Sequence, residues 1–123
     1  MNIHKLDDFT ESYIETALWS STDNKDESGG SPLDDNYDVS DIAKETLEKM
    51  VSDCKAFQGA NWDDIKINPK AAGHDFWLTR NGHGAGFWDG GWPKAAGKRL
   101  TEDSKAYGEF NLYVGDDNLI YGS

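Results

Sequence analysis

The sequence predicts a single α+β domain in which two N-terminal helices are followed by a small antiparallel sheet. Its 123 residues are a usual length for one domain. Apolar residues recur at helical spacing in the first half, whereas from residue 75 they alternate with a period of two. We therefore expect two helices, then a β-hairpin, a helix and a second β-hairpin, with both hairpins in one sheet and the helices packed on it.

The two N-terminal helices are predicted over residues 6–19 and 39–57. The first has Phe9, Tyr13 and Ala17 on one face, with Asp7 or Asp8 as its N-terminal cap. The second carries the longest apolar stripe in the chain, formed by Val39, Ile42, Ala43, Leu47, Met50, Cys54 and Phe57. Cys54 lies on that stripe, so we expect a buried structural thiol.

Residues 20–37 are expected to form a loop, because Ser, Asp, Asn, Gly and Pro crowd this stretch. Such a long loop in a compact domain suggests function or disorder. Residues 59–72 allow either a helical turn or a loop, and Pro69 is expected to end whatever structure precedes it.

The second half is predicted to contain two hairpins. Residues 75–80 and 85–88 are interpreted as strands joined by an Asn81-Gly82 turn, because that dipeptide is a strong hairpin signal. A third helix is expected over residues 94–107, stopped by Gly108. Residues 110–114 and 119–121 then form the second hairpin.

Charge divides the domain into an acidic helical half, residues 1–64, and a neutral half, residues 65–123. The first holds 16 acidic and five basic residues and therefore the whole net charge of -11, whereas the second holds seven of each. Such charge repels nucleic acid and anionic membranes and favours basic partners, although solubility alone also explains it. A single cysteine, and no apolar leader segment at the start, predict a reducing, cytoplasmic location.

Three stretches of the chain form recognisable motifs: GHDFWLTRNGHGAGFWD, residues 73–89, YIETALWSSTD, residues 13–23, and LYVGDD, residues 112–117, with Ile120 and Tyr121. Together they resemble small acidic proteins that recur in bacteriophage genomes. The resemblance covers most of the chain. It implies a phage or prophage origin and a host-cytoplasm setting, and it implies no activity.

The acidic half suggests a protein that occupies a basic, nucleic-acid-binding surface of a host protein, as an inhibitor or DNA mimic. A row of carboxylates can compete with DNA phosphates for Lys and Arg, and the phage resemblance favours this role by analogy. The alternative is an ordinary solvated surface. The candidate residues are Glu11, Glu15, Asp23, Asp26, Glu27, Asp34, Asp35, Asp38, Asp41, Glu45 and Glu48. Asp41, Glu45 and Glu48 are predicted to share one helix face.

The central motif offers a second set of candidates. Arg80, His83, Trp88 and Asp89 are placed at the hairpin tip as partner contacts, because Arg and Trp are frequent at binding hot spots. A small metal-dependent hydrolase or nuclease-like enzyme using His74, His83 and Asp89 is an alternative, but the spacing matches no known metal motif.

Other ligands and roles carry less weight. Calcium binding by the acidic loop fails the EF-hand pattern, because Lys25 stands where a ligand should be. No cofactor and no catalytic residue are therefore predicted. A structural or accessory protein that self-associates is the remaining possibility.

Overall fold

The fold is known from a computed structural model that describes residues 6–23, 30–82, 86–88 and 91–123. Within these residues the chain is mostly helical and carries one two-stranded antiparallel ribbon. The helices are α1 (Asp8–Ser20), α2 (Lys44–Ile65), α3 (Pro69–Arg80) and α4 (Lys94–Ala106), and the strands are β1 (Leu112–Val114) and β2 (Ile120–Gly122). Two short 3₁₀ turns, Leu33–Asp35 and Val39–Asp41, connect α1 to α2.

Helices α1 and α3 form the closest helix pair of the fold. Gly73 of α3 makes this approach possible, because a Cβ at this position would lie 2.0 Å from the Phe9 carbonyl oxygen. Helix α3 also packs on α4, and α2 lies against α1 and α4. The central helix α3 thereby separates two surfaces that are described below.

Aromatic rings fill the core between these helices. Phe57 of α2 and Phe76 of α3 stack with ring centroids 4.2 Å apart, and Phe9, Tyr13 and Phe87 pack around them. Cys54 is buried as expected, and its burial raises the pKa of the thiol well above the ordinary value. Aromatic packing therefore accounts for the centre of the core.

The predicted strand over residues 75–80 is wrong, because this segment is the second half of α3. Asn68 caps the helix by accepting a hydrogen bond from the Ala71 amide at 3.1 Å, and Pro69 occupies the first turn. Pro69 therefore starts a helix. Asn81 and Gly82 end it, with Gly82 at a φ of 74°, so the dipeptide taken for a hairpin turn is a helix stop.

The first hairpin is absent from the described residues, since 86–88 form bends and turns beside α3. Gly86 lies so close to Thr79 that a Cβ would stand 2.1 Å from its hydroxyl oxygen, and the Phe87 amide donates to that oxygen at 3.0 Å. The glycine therefore serves a close contact with a helix. The sheet consists of the second hairpin alone.

Other elements are confirmed with shifted ends. Helix α1, helix α4 and the β1–β2 hairpin lie where the sequence places them, and Tyr113 pairs with Tyr121 across the ribbon. Helix α2 starts five residues later and ends eight residues later than predicted, taking up the first half of the ambiguous stretch 59–72, and α3 begins within its second half. None of the helices in the described part of the chain is long and apolar enough to cross a membrane.

Candidate functional site

A groove of about 680 Å³ runs between α1 and the segment that holds the two 3₁₀ turns. Its floor is apolar and its rim carries four carboxylates, and we call it the acidic groove. Its lining residues are Leu6, Glu11, Ile14, Glu15, Leu18, Trp19, Asp34, Tyr37, Asp38 and Val39. Carboxylates therefore surround an apolar floor that is open to solvent.

The α1 side of the groove follows from helical spacing. Ile14 and Leu18 are buried and form part of the floor, while Glu11, Glu15 and Trp19 follow one another every four residues along the exposed edge. Trp19 is 46% exposed, although it is one of the largest apolar side chains of the chain. Helix α1 thus presents one tryptophan and two carboxylates as a single stripe.

The opposite wall is held by a capping box at the second 3₁₀ turn. The Asp38 carboxylate accepts hydrogen bonds from the Ser40 hydroxyl and from the Ser40 amide, and these bonds lower the pKa of Asp38. The Asp41 carboxylate accepts from the Asp38 amide at 2.9 Å. Asp41 therefore caps this turn and precedes α2, so the predicted helix face shared with Glu45 and Glu48 is wrong.

Tyr37 closes the same wall from the inside. Its partial burial and the neighbouring Asp23 carboxylate, which accepts a hydrogen bond from the Tyr37 hydroxyl, raise the pKa of Tyr37. Asp23 is only 7% exposed. The expectation that Asp23 contacts a partner is corrected accordingly, because its side chain is used inside the protein.

The groove tryptophan is supported from α3. The Trp19 ring stacks on the His74 imidazole with centroids 6.0 Å apart, and His74 Nδ1 lies 2.9 Å from Asp75 Oδ1. The other Asp75 oxygen accepts a hydrogen bond from Trp92 Nε1 at 2.7 Å. His74 and Asp75 are thus neighbours on a helix and in contact, contrary to the opposite faces expected of a strand.

Arg80 is a core residue, and its predicted contact with a partner is corrected. Its guanidinium donates to the Tyr13 hydroxyl, the Asp53 carboxylate and the Tyr107 and Gly108 carbonyls, at 2.9 to 3.1 Å. The rings of Phe76, Tyr107 and Phe110 surround it, with centroids 5.5 or 5.6 Å from its Cζ. Burial of a paired cation requires this many partners.

The other predicted contacts divide among several places. Asp34 and Asp38 lie on the groove rim and Asp35 is exposed beside it, whereas Glu45 and Glu48 are exposed on α2. Glu45 is close enough to Tyr121 to act on its titration, and Glu48 pairs with Lys44 at 4.0 Å. Trp88 is exposed near α4. Asp26, Glu27, His83 and Asp89 lie outside the described residues.

The metal hypothesis rests partly on residues outside the described part of the chain. Of its three residues, only His74 is described, and its imidazole is held by Asp75 and Trp19. Within the described ranges, no three side chains of the His, Cys, Asp and Glu types are grouped as metal ligands would be.

The apolar lining of the acidic groove was not predicted from the sequence, although Glu11 and Glu15 on its rim were among the acidic candidates. None of Leu6, Ile14, Leu18 and Trp19 was among the predicted binding residues. The available signal was the four-residue repeat of Glu11, Glu15 and Trp19, which places the tryptophan on the same helix edge as the two carboxylates.

No protein-family model, curated protein or solved structure matches this chain closely enough to identify a family. The groove must therefore be interpreted from its own geometry.

Proposed function

We propose that this protein is a binding protein whose acidic groove takes a basic, amphipathic segment of a partner protein. The acidic groove carries the proposal, because it joins an apolar floor to a rim of carboxylates. Among the described residues, no cation pairs with Glu11, Glu15 or Asp34. These three carboxylates therefore remain available to Lys or Arg side chains of a partner.

The apolar floor favours a folded protein segment as the occupant. Lys and Arg lay their aliphatic stems on apolar surface while their charged heads reach outward, which matches a floor of Ile14 and Leu18 below a carboxylate rim. An apolar anchor of the partner would pack beside Trp19, a residue type that dominates binding energy when it is buried at an interface. A basic helix with apolar residues at every third or fourth position has this chemistry.

The groove sharpens the DNA-mimic hypothesis. Carboxylates alone imitate phosphates, but DNA offers no apolar floor between its charges, so a pure mimic would leave Ile14, Leu18 and Trp19 unexplained. The resemblance to bacteriophage proteins suggests that the partner is a host protein. Occupation of the basic segment would then prevent that host protein from binding its own ligand through the same segment.

The test uses a fluorescein-labelled peptide of about 14 residues, roughly four helical turns, with Leu on one face and Lys on the other. Fluorescence anisotropy gives its Kd for the full chain. The double variant Glu11→Gln/Glu15→Gln is expected to bind the peptide about fivefold to tenfold more weakly, since each exposed ion pair contributes up to about 1 kcal/mol.

The matched control is Glu45→Gln/Glu48→Gln, which removes the same charge from α2, outside the groove. We expect it to change the Kd less than twofold. Equal losses in both double variants would show that net charge alone attracts the peptide, and the groove assignment would then be abandoned. A peptide of the same composition with its Leu residues scattered should also bind weakly, because it lacks the apolar face.

A further inference from the structure

A second groove, of about 780 Å³, lies on the α4 side of the molecule and has the opposite charge. We call it the lysine groove. Its walls include two tryptophans, three lysines and one glutamate: Trp88, Trp92, Lys94, Lys98, Glu102 and Lys105. With three lysines and one glutamate, it is locally cationic in a protein whose net charge is -11.

The three lysines form one stripe. Lys94, Lys98 and Lys105 are separated by four and seven residues, so they project from the same face of α4 over about 16 Å at 1.5 Å per residue. No ion pair within the described residues involves any of them. No acidic residue lies in the first turn of α4, so the charge of Lys94 is not offset there.

The tryptophans give the groove its aromatic wall. Trp88 is 69% exposed, the most exposed ring among the large hydrophobic side chains of the described residues. Trp92 is fixed by its hydrogen bond to the buried Asp75 and by edge-to-face packing on Phe87, with centroids 5.6 Å apart. The wall therefore combines one held ring with one ring that is largely exposed.

We propose that the lysine groove binds a short single-stranded nucleic acid. Bases stack on Trp88, and backbone phosphates contact Lys94, Lys98 and Lys105. Aromatic platforms beside a cationic groove are the combination by which proteins bind single strands without regard to sequence. Because only three cations are available, the site fits a few nucleotides, and a duplex would keep its bases away from Trp88.

The net charge does not forbid this ligand. It predicts repulsion of nucleic acid at long range, but exposed charges more than about 8 Å apart are largely screened at physiological salt. The carboxylates of the acidic groove lie on α1 and on residues 34–38, none of which lines the lysine groove. Local charge therefore governs binding there, and the inference is independent of the function proposed for the acidic groove.

The experiment measures the binding of fluorescein-labelled oligothymidylate of about eight nucleotides to the full chain by fluorescence anisotropy. We expect saturable binding at low salt, with log K falling against log salt at a slope of about -2 for three phosphate contacts. The Trp88→Ala variant should bind at least tenfold more weakly, because stacking on this ring is lost. Trp62→Ala, which removes an exposed tryptophan of α2 outside the lysine groove, should bind like the parent protein.

A charge-matched pair tests the lysines. Lys94→Gln/Lys98→Gln should reduce the salt slope to about -0.7, whereas Lys55→Gln/Lys70→Gln should leave it near -2. Because all four side chains are exposed, these variants should fold, and circular dichroism checks that they do.

Three results would overturn the proposal. The first is no binding at low salt, and the second is binding that Trp88→Ala leaves unchanged. The third is equal affinity for an octaglutamate peptide or for an abasic strand of the same charge, since neither can stack and an acidic protein segment would then be the better ligand.

Discussion

The two grooves of this protein each combine an exposed tryptophan with several charged side chains, but the charges have opposite signs. In the acidic groove, carboxylates surround an apolar floor beside exposed Trp19, whereas in the lysine groove lysines that pair with no acid of the described residues line up beside exposed Trp88. The first is built on α1 and the 3₁₀ turns, the second on α4, and α3 contacts both helices. The comparison teaches that a net charge averaged over a chain conceals local surfaces of opposite charge.

The largest effect is expected from Arg80, which joins Tyr13 of α1 and Asp53 of α2 to the residues that follow α4. Arg80→Met leaves the buried Asp53 carboxylate with the half-exposed Lys49 as its ion-pair partner among the described residues and frees the Tyr107 and Gly108 carbonyls. Removing one member of a buried ion pair costs about 3 to 5 kcal/mol. The free energy of unfolding measured in urea should therefore fall by this amount. Arg99→Met, which breaks only the exposed pair with Asp64, should change unfolding little; a similar small change for Arg80→Met would contradict its place in the core.

Gly73→Ala should damage the acidic groove selectively. The added methyl group must displace the Phe9 backbone and thereby shift α1 from α3, at a cost of about 1 to 3 kcal/mol. We expect weaker binding of the basic peptide and unchanged binding of the oligonucleotide. Gly59→Ala is the control, because its Cβ meets nothing within 4 Å on α2, and it should stabilise the protein by about 0.5 to 1 kcal/mol.

Asp75→Asn should affect both grooves moderately, because one carboxylate holds His74 behind Trp19 and Trp92 beside the lysines. The amide offers one acceptor oxygen and an NH2 group that cannot accept, so the contacts with His74 Nδ1 and with Trp92 Nε1 both change, and an N–H left without its acceptor costs about 1 to 3 kcal/mol. NMR signals of the His74 ring and the Trp92 indole should both move. If only one of these signals moves, Asp75 does not position both rings, and the expected effect on both grooves is contradicted.

The smallest effect concerns a carboxylate assigned to neither groove. The Tyr121 hydroxyl donates to Asp117 at 2.6 Å, and this bond, with a smaller contribution from Glu45, raises the pKa of Tyr121 to about 12. Because the folded-state pKa exceeds the ordinary value of about 10, the stabilisation is present below pH 10 and is lost as the pH rises through 12. Ultraviolet titration should show that Asp117→Asn lowers the pKa of Tyr121 strongly and that Glu45→Gln lowers it slightly. An unchanged pKa in Glu45→Gln would contradict an electrostatic effect of Glu45 on Tyr121.

Sequence patterns predicted the elements whose signals have a single meaning. Helix α1 has its apolar spacing and the Asp7 cap, which accepts from the Thr10 amide at 2.8 Å, and the β1–β2 hairpin alternates with a period of two. The failure at residues 75–80 arose because Asn81-Gly82 suits both a hairpin and a helix end, since both need a positive φ. Asn68-Pro69 was the deciding signal, as a cap followed by proline in the first turn starts a helix.

The candidate site was less accessible to sequence reasoning. The acidic candidates were chosen by residue type alone. In the structure Asp23 is buried, Asp41 caps a 3₁₀ turn, and Glu45 and Glu48 lie on α2, outside the lining of the acidic groove. Arginine is a residue type that is frequent at binding hot spots, but Arg80 is buried in the core. Only the packing of the helices around it distinguishes these two roles. The apolar floor depends on the path of residues 33–39 across α1, which no local pattern specifies.

The assignment of one partner to each groove is tested most directly by following the five tryptophan indole N–H signals by NMR. Addition of the basic amphipathic peptide should shift the Trp19 signal most and leave Trp62 and Trp88 unchanged, whereas oligothymidylate should shift Trp88 and leave Trp19 unchanged. A peptide that leaves Trp19 in place, or that shifts Trp62 as much as Trp19, would contradict the acidic groove as the site where this protein binds its partner.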